Sequence, residues 1–336
     1  MKTIRQSLLL LLAACLLLST LVACKSAEEK LEQTVIGTAA GFEVLYEELR
    51  YATLSKKDEM ELVYGEGIWD DPTTAEQYRA ELESRVWSVM LNNYAVLATC
   101  QDYMPRESIN SKTIDEEVDK ELEAAIEEYG GKSAFRAAMK EMYMTESFVR
   151  FNARVMKLQN ELYYVLTEDL LLIENDATAF TDWLENGNCV YLQHVKIEND
   201  PGEDPAANRA LAEQVRAQLI SGEKTIDQLV GSSINEDLRN VAPYYCVRDV
   251  YKENFEAAAF ALNAPGDVSE VIEAEDGYYV LVRMEESDER TFLSQVPALL
   301  NEYQKARMES LFEEKKQTLK IELYELGKSI DLLTIE

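Results

Sequence analysis

Phe255-Glu256-Ala257-Ala258-Ala259-Phe260-Ala261-Leu262 runs straight into Asn263-Ala264-Pro265-Gly266-Asp267-Val268-Ser269, and Asp276-Gly277-Tyr278-Tyr279-Val280-Leu281 follows soon after. The first piece reads as a compact helix over 254–262. The second is a Pro-Gly turn leading into a strand over 268–272, and Glu275-Asp276-Gly277 is the turn before another strand over 278–284. Working outward, Cys189 to Ile197 alternates apolar and polar residues, as a half-buried strand does. A Pro- and Asp-rich loop spans 199–205. A helix over 206–221, with Leu211, Val215 and Leu219 four apart, ends at Gly222. Ile226 to Val230 adds a helical turn, and Pro243 to Val247 a short strand. The segment 187–286 therefore reads as a small α/β module.

The flanks have a different texture. Val35 to Leu45 reads as a short strand, a turn at Gly41 and an entry into helix. Apolar residues spaced by three or four then predict helices from Thr73 to about Cys100, Thr113 to Tyr129, Lys132 to Tyr143, Thr145 to about Leu170 and Asp176 to Glu185. From Glu289 to about Gly327 the pattern is helical again. The expected fold class is α+β: N-terminal helices over 35–186 and a C-terminal helix over 287–336, with the α/β module inserted between them. In this reading the C-terminal helix packs back on the N-terminal region.

The chain has 336 residues, 33 Lys+Arg against 63 Asp+Glu, and a net charge of −30. Such a surface repels phosphate backbones, which excludes nucleic-acid binding and electrostatic adhesion to anionic membranes. A single His excludes HExxH-type zinc sites, and no metal site is expected. No GxxxxGK[ST] or GxGxxG occurs, and nothing in the pattern asks for a cofactor.

Lys2 and Arg5 precede an apolar run from Leu8 to Val22, too short for a membrane span and suited to a signal peptide over 1–23. The run ends Leu21-Val22-Ala23-Cys24, followed by a polar tether over 24–34. Small residues followed by Cys resemble a bacterial lipobox. That resemblance implies a diacylglyceryl group on Cys24 and an anchored, extracytoplasmic protein, and two acyl chains suffice for stable anchoring. Cys100, Cys189 and Cys246 then remain, an odd number without CxxC spacing, and they read as free buried thiols.

The module resembles the parvulin family of peptidyl-prolyl isomerases. FEAAAFAL, then GDVS, then DGYYVL carry the resemblance, together with Gln193-His194-Val195-Lys196-Ile197 as the first strand. The helical flanks resemble PrsA- and SurA-like foldases. The resemblance implies that His194, Tyr279 and Asn235 occupy the catalytic positions and that Tyr251, Phe255, Phe260 and Tyr245 line the proline pocket. Tyr279 stands where the family has a second His, and the position where it has Asp or Cys falls near Asn235, or Glu236 if no gap is placed. Two functions stay open: an isomerase acting on newly secreted or unfolded polypeptides, and a non-catalytic holdase chaperone or peptide-binding lipoprotein. A homodimer formed through the helical lobes would make a cradle for such clients. The tyrosines at 244, 245, 251, 278 and 279 suit either a surface for extended peptides or simple strand formation.

Overall fold

The computed structural model describes residues 27–199, 205–237 and 240–336. Cys24, the apolar segment before it and most of the Pro-rich loop lie outside these residues. Among the described residues, no helix is long and apolar enough to cross a membrane.

The chain opens with α1 (Ala27–Glu32), inside the stretch expected to be a tether, and a hairpin of β1 (Val35–Ala39) and β2 (Phe42–Leu45). Ala40 and Gly41 both take positive φ, 51° and 81°, the two-residue turn that matches strand twist. Helices follow: α2 (Tyr46–Tyr64), α3 (Pro72–Tyr103), α4 (Arg106–Ile109), α5 (Lys112–Glu128), α6 (Lys132–Glu141), α7 (Glu146–Tyr164) and α8 (Ala177–Trp183). Their starts are set by side chains that accept otherwise unpaired backbone N–H groups. Asp71 caps α3 through Thr73 N at 2.7 Å, with Pro72 at the first helical position, so this helix begins just before the expected Thr73. Thr145 caps α7 through Phe148 N, and Asp176 caps α8. The acidic face of α5 is not simply solvated. Asp115 and Asp119 bond Arg154 and Arg150 of α7 at 2.9 and 2.6 Å, and Glu121 meets Lys157 at 2.6 Å.

The α/β module comprises β3 (Cys189–Glu198), α9 (Pro205–Ser221), α10 (Ile226–Val230), β4 (Tyr244–Val247), α11 (Glu253–Phe260), β5 (Ile272–Ala274) and β6 (Gly277–Arg283). Its sheet is antiparallel throughout, in the order β4-β3-β6-β5. The strand expected over 268–272 forms later, at 272–274, and Val268 makes only one bridge, to Val282. Around it, Ser269 takes over part of the pairing: its N–H donates to Leu281 O, and its Oγ accepts from Leu281 N.

Successive strand residues point to opposite faces, and this sorts the module into two layers. Val195, Ile197, Tyr278 and Val280 pack with Ala212, Val215 and Leu229 of α9 and α10. Val190, Leu192, Cys246 and Leu281 pack with Phe255 and Ala259 of α11.

The last helix, α12 (Glu289–Thr318), ends earlier than its periodicity suggests. Beyond it, β7 (Glu322–Leu323) pairs with β1, extending the hairpin to a sheet of order β2-β1-β7, and α13 (Glu325–Ser329) follows. The helical part is therefore not all helix. Gly37 makes the third strand possible, since a Cβ there would lie 2.6 Å from Glu322 O. Helix α12 serves two cores. Phe292, Val296, Leu299 and Leu300 pack with Phe180, Leu184, Tyr245 and Val247 at the module's edge. Met308, Leu332 and Ile335 join the large core of Leu82, Val86, Tyr94, Leu158 and Leu162. The two helical segments thus share one core, and the α/β module enters and leaves between them.

Candidate functional site

His194 sits mid-strand on β3, on the face that also carries Leu192 and Lys196. The register β3 keeps with its neighbours decides what surrounds it. Leu281 lies directly opposite, which places Tyr279 diagonally across on β6, and Leu192↔Tyr244 places Tyr244 diagonally across on β4. Ring centroids lie 5.5 Å from His194 for Tyr279, 5.6 Å for Tyr244 and 6.3 Å for Phe255 of α11. Tyr251 stacks on Phe255 at 5.2 Å. The start of α11 is held by Glu256, whose carboxylate accepts from Val250 N and Tyr251 N, and by Asn254, which donates to Glu273 O of β5. These rings wall a cavity of about 500 Å³ that Asp237, Asn240, Lys252, Glu275 and Asp276 also reach.

The imidazole is buried and both nitrogens are engaged. Nδ1 lies 2.9 Å from the Tyr244 hydroxyl, and Nε2 lies 3.1 Å from Asp237 Oδ2. Burial pushes the His194 pKa below its ordinary value, and the attraction of Asp237 only partly opposes this. Asp237 also accepts from Asn240 N at 3.2 Å and Asn240 Nδ2 at 2.9 Å. Burial raises the Tyr244 phenol strongly, so it stays protonated.

On the other side of the ring, the Tyr279 hydroxyl donates to Asp276 at 2.9 Å. Burial first, and then Asp276, push its pKa up to about 12. Lys196 bonds Asp276 at 2.8 Å and Glu198 at 2.6 Å and lies 5.7 Å from the Tyr279 ring centre. Burial of Lys196 acts against its charge, but the two carboxylates outweigh it and keep the ammonium protonated.

The structure brings His194, Tyr279, Tyr251 and Phe255 to this cavity and leaves three other expected residues out of it. Tyr245 is one residue from Tyr244 and so faces the opposite side. There its ring packs on Phe292 of α12 at 5.0 Å and its hydroxyl meets Ser287 at 2.8 Å. Phe260 packs at the edge of the module core beneath the Arg248 guanidinium, 3.8 Å away. Asn235 is buried and structural: its Oδ1 accepts from Lys196 N at 3.0 Å and its Nδ2 donates to Asp237 O at 2.9 Å. The carboxylate reaching the imidazole is Asp237, two residues further on. A loop has no periodicity to set its register, so the resemblance reaches only Asn235 or Glu236.

The aromatic lining of this site suits non-covalent binding. Among the described residues no cluster of three or more His, Cys, Asp or Glu is placed to hold a metal ion. The three described cysteines are free, and burial raises all their pKa values, that of Cys189 to about 11 and that of Cys100 to about 12, so none is an activated nucleophile. What remains is an aromatic wall beside a fixed, neutral imidazole, able to hold a small apolar ring.

No family model matches the chain, and no curated protein matches it in sequence. Among solved structures it is similar to the peptidylprolyl isomerase PrsA from Bacillus anthracis, at 15% identity and a TM-score of 0.37, covering 68% of this chain and 94% of that one. It is also similar to the foldase PrsA from Streptococcus pneumoniae, at 18% identity and a TM-score of 0.33, covering 72% and 86%. The peptidyl-prolyl isomerase ESS1 from Candida albicans matches at 20% identity and a TM-score of 0.25, covering 32% of this chain and 74% of that one.

Proposed function

We propose that the chain is an extracytoplasmic foldase whose α/β module, 187–286, accelerates rotation about X–Pro bonds in client polypeptides. The observation that carries this reading is the open cavity walled by aromatic rings beside His194. X–Pro rotation needs no bond made or broken. It must cross a barrier of about 18–20 kcal/mol set by amide resonance. In the planar amide the oxygen carries partial negative charge and the nitrogen partial positive charge; in the twisted amide this separation is lost. An apolar aromatic wall therefore favours the twisted form over the planar one. Phe255 and Tyr251 would grip the proline ring, with His194, held by Tyr244, as the fixed floor. The charged groups at the rim, Glu275, Asp276 and Lys252, would meet the peptide backbone on either side.

In this reading the helical segments 35–186 and 287–336 form one client-binding body. The apolar run before Cys24 and the polar stretch after it support export and lipid anchoring at the outer face of a bacterial membrane. A holdase role without catalysis is the second reading. It is favoured by the exposed run Leu170-Leu171-Leu172 on the helical body, where Leu171 is 71% exposed.

The test is a protease-coupled isomerisation assay on the chain beginning after Cys24. The parent accelerates exchange, and His194→Ala lowers kcat/KM about tenfold or more, the equivalent of losing a hydrogen bond to a charged group. A parent without activity, still able to suppress client aggregation, rejects the isomerase reading in favour of the holdase.

A further inference from the structure

We propose that Tyr244 is a positioning residue that donates to Nδ1 of His194, whose tautomer is set by Asp237, and that Tyr279 stands outside this hydrogen-bonded chain. The inference rests on the isomerase reading for its kinetic consequence and on geometry alone for its structural one.

An imidazole buried between two polar groups has few choices. Asp237 accepts from Asn240 N on one oxygen and Asn240 Nδ2 on the other, and an aspartate, acidic in the ordinary range, meets the imidazole at neutral pH as an acceptor. The contact at 3.1 Å therefore requires the proton on His194 Nε2. In the neutral ring Nδ1 is then an acceptor, and the Tyr244 hydroxyl at 2.9 Å is its donor. The chain runs Tyr244 O–H to Nδ1, then Nε2–H to Asp237. Burial favours the neutral ring that this order needs.

Tyr279 lies as close to the imidazole by ring centroid, 5.5 Å against 5.6 Å, yet it does not enter the chain. Its single proton goes to Asp276, which Lys196 holds in place. The two tyrosines flanking His194 thus differ in kind. One is bonded to the imidazole through its hydroxyl. The other touches it only through its ring.

A consequence follows for catalysis. With both nitrogens committed, His194 offers the substrate a fixed surface and moves no proton. Of the titratable groups around it, Tyr244 and Tyr279 are held protonated, Lys196 charged and Asp276 ionised, so none of these four changes charge between about pH 6.5 and 8.5. The rate should be flat over that window.

The single histidine makes the test direct. In the full soluble chain labelled with ¹⁵N-histidine, long-range ¹H–¹⁵N spectra report one imidazole, with distinct signals for a protonated and an unprotonated ring nitrogen. The parent should show one neutral Nε2–H tautomer throughout pH 6.5–8.5. Tyr244→Phe should keep the Nε2–H tautomer but shift the unprotonated Nδ1 signal, which has lost its donor, and lower kcat by about threefold to tenfold, the equivalent of one neutral hydrogen bond, with KM little changed. Tyr279→Phe should leave both nitrogen signals in place. A parent protonated on Nδ1 overturns the proposal. So does a Tyr244→Phe spectrum identical to the parent's, or a Tyr279→Phe spectrum in which Nδ1 shifts as it does in Tyr244→Phe. Should Tyr244→Phe fail to fold, the parent's own spectrum still decides between the two tautomers. A parent that shows the expected tautomer but no isomerase activity would reject the functional reading and leave the assignment of Tyr244 standing.

Discussion

Gly277→Ala is expected to lower stability by about 3 kcal/mol or more and to disrupt the α/β module first. Gly277 starts β6 with φ of 146°, a conformation that side chains rarely adopt. A Cβ placed there would lie 2.1 Å from Ile197 O and 2.9 Å from Glu198 Cα, both backbone atoms of the central strand β3. No rotamer can relieve that overlap. The Glu198↔Gly277 pairing must open instead, next to Asp276 and two residues from Tyr279. Gly266→Ala is the control. Gly266 also has positive φ, 92°, but nothing lies within 4 Å of an added Cβ, so its cost should stay near about 1 kcal/mol. Urea unfolding of both variants tests the claim. Equal losses would show that the close approach of β3 to Gly277 contributes nothing.

The second large effect lies in the helical body. Glu48 is buried at the start of α2, where its carboxylate accepts from Leu45 N at 2.8 Å and from the Tyr94 hydroxyl at 2.8 Å. Burial raises its pKa to about 7, and these hydrogen bonds offset only part of that. In the unfolded chain a Glu titrates near 4.3. Between those values the native state holds a proton that the unfolded state has lost, so stability falls as pH rises through this window. The difference between pH 5 and pH 8 is on the order of 3 kcal/mol. His194 acts the other way: held neutral by burial, it costs stability as pH drops below about 6.5. Comparing parent with Glu48→Gln cancels that contribution. The variant should be more stable than the parent by about 2–3 kcal/mol at pH 8 and nearly equal to it at pH 5. A stability gap that does not change with pH would mean that Glu48 is ionised throughout.

Much of this architecture was legible because it is local. Spacing by three or four revealed the helices, and cap residues such as Thr145 and Asp176 set their starts to within a residue or two. The compact helix, the Gly266-Asp267 turn and the Tyr278–Val282 strand stand in plain order along the chain. Alternation alone places His194 on the same face as Lys196, and Tyr279 on the same face as Leu281.

Other features depend on partners far away in sequence. Lys320 to Leu323 has the pattern of a helix, yet Glu322 and Leu323 pair with β1, because Gly37 leaves the space for them. Helix α12 has one continuous apolar pattern, and only packing divides it between the module's edge and the helical core.

The site draws the same line. The sequence by itself determined the residues of the β3–α11–β6 frame, because period and turn chemistry act over a few neighbouring residues. Only the tertiary structure decided that Tyr244 rather than Tyr245 faces His194, since that choice rests on the register Leu192↔Tyr244. It likewise decided that Asp237 rather than Asn235 reaches the imidazole, because Asn235 is spent tying its loop to Lys196 N. A one-residue shift in either segment would turn a different side chain inward, and strand pairing and loop anchoring hold that register across more than forty residues.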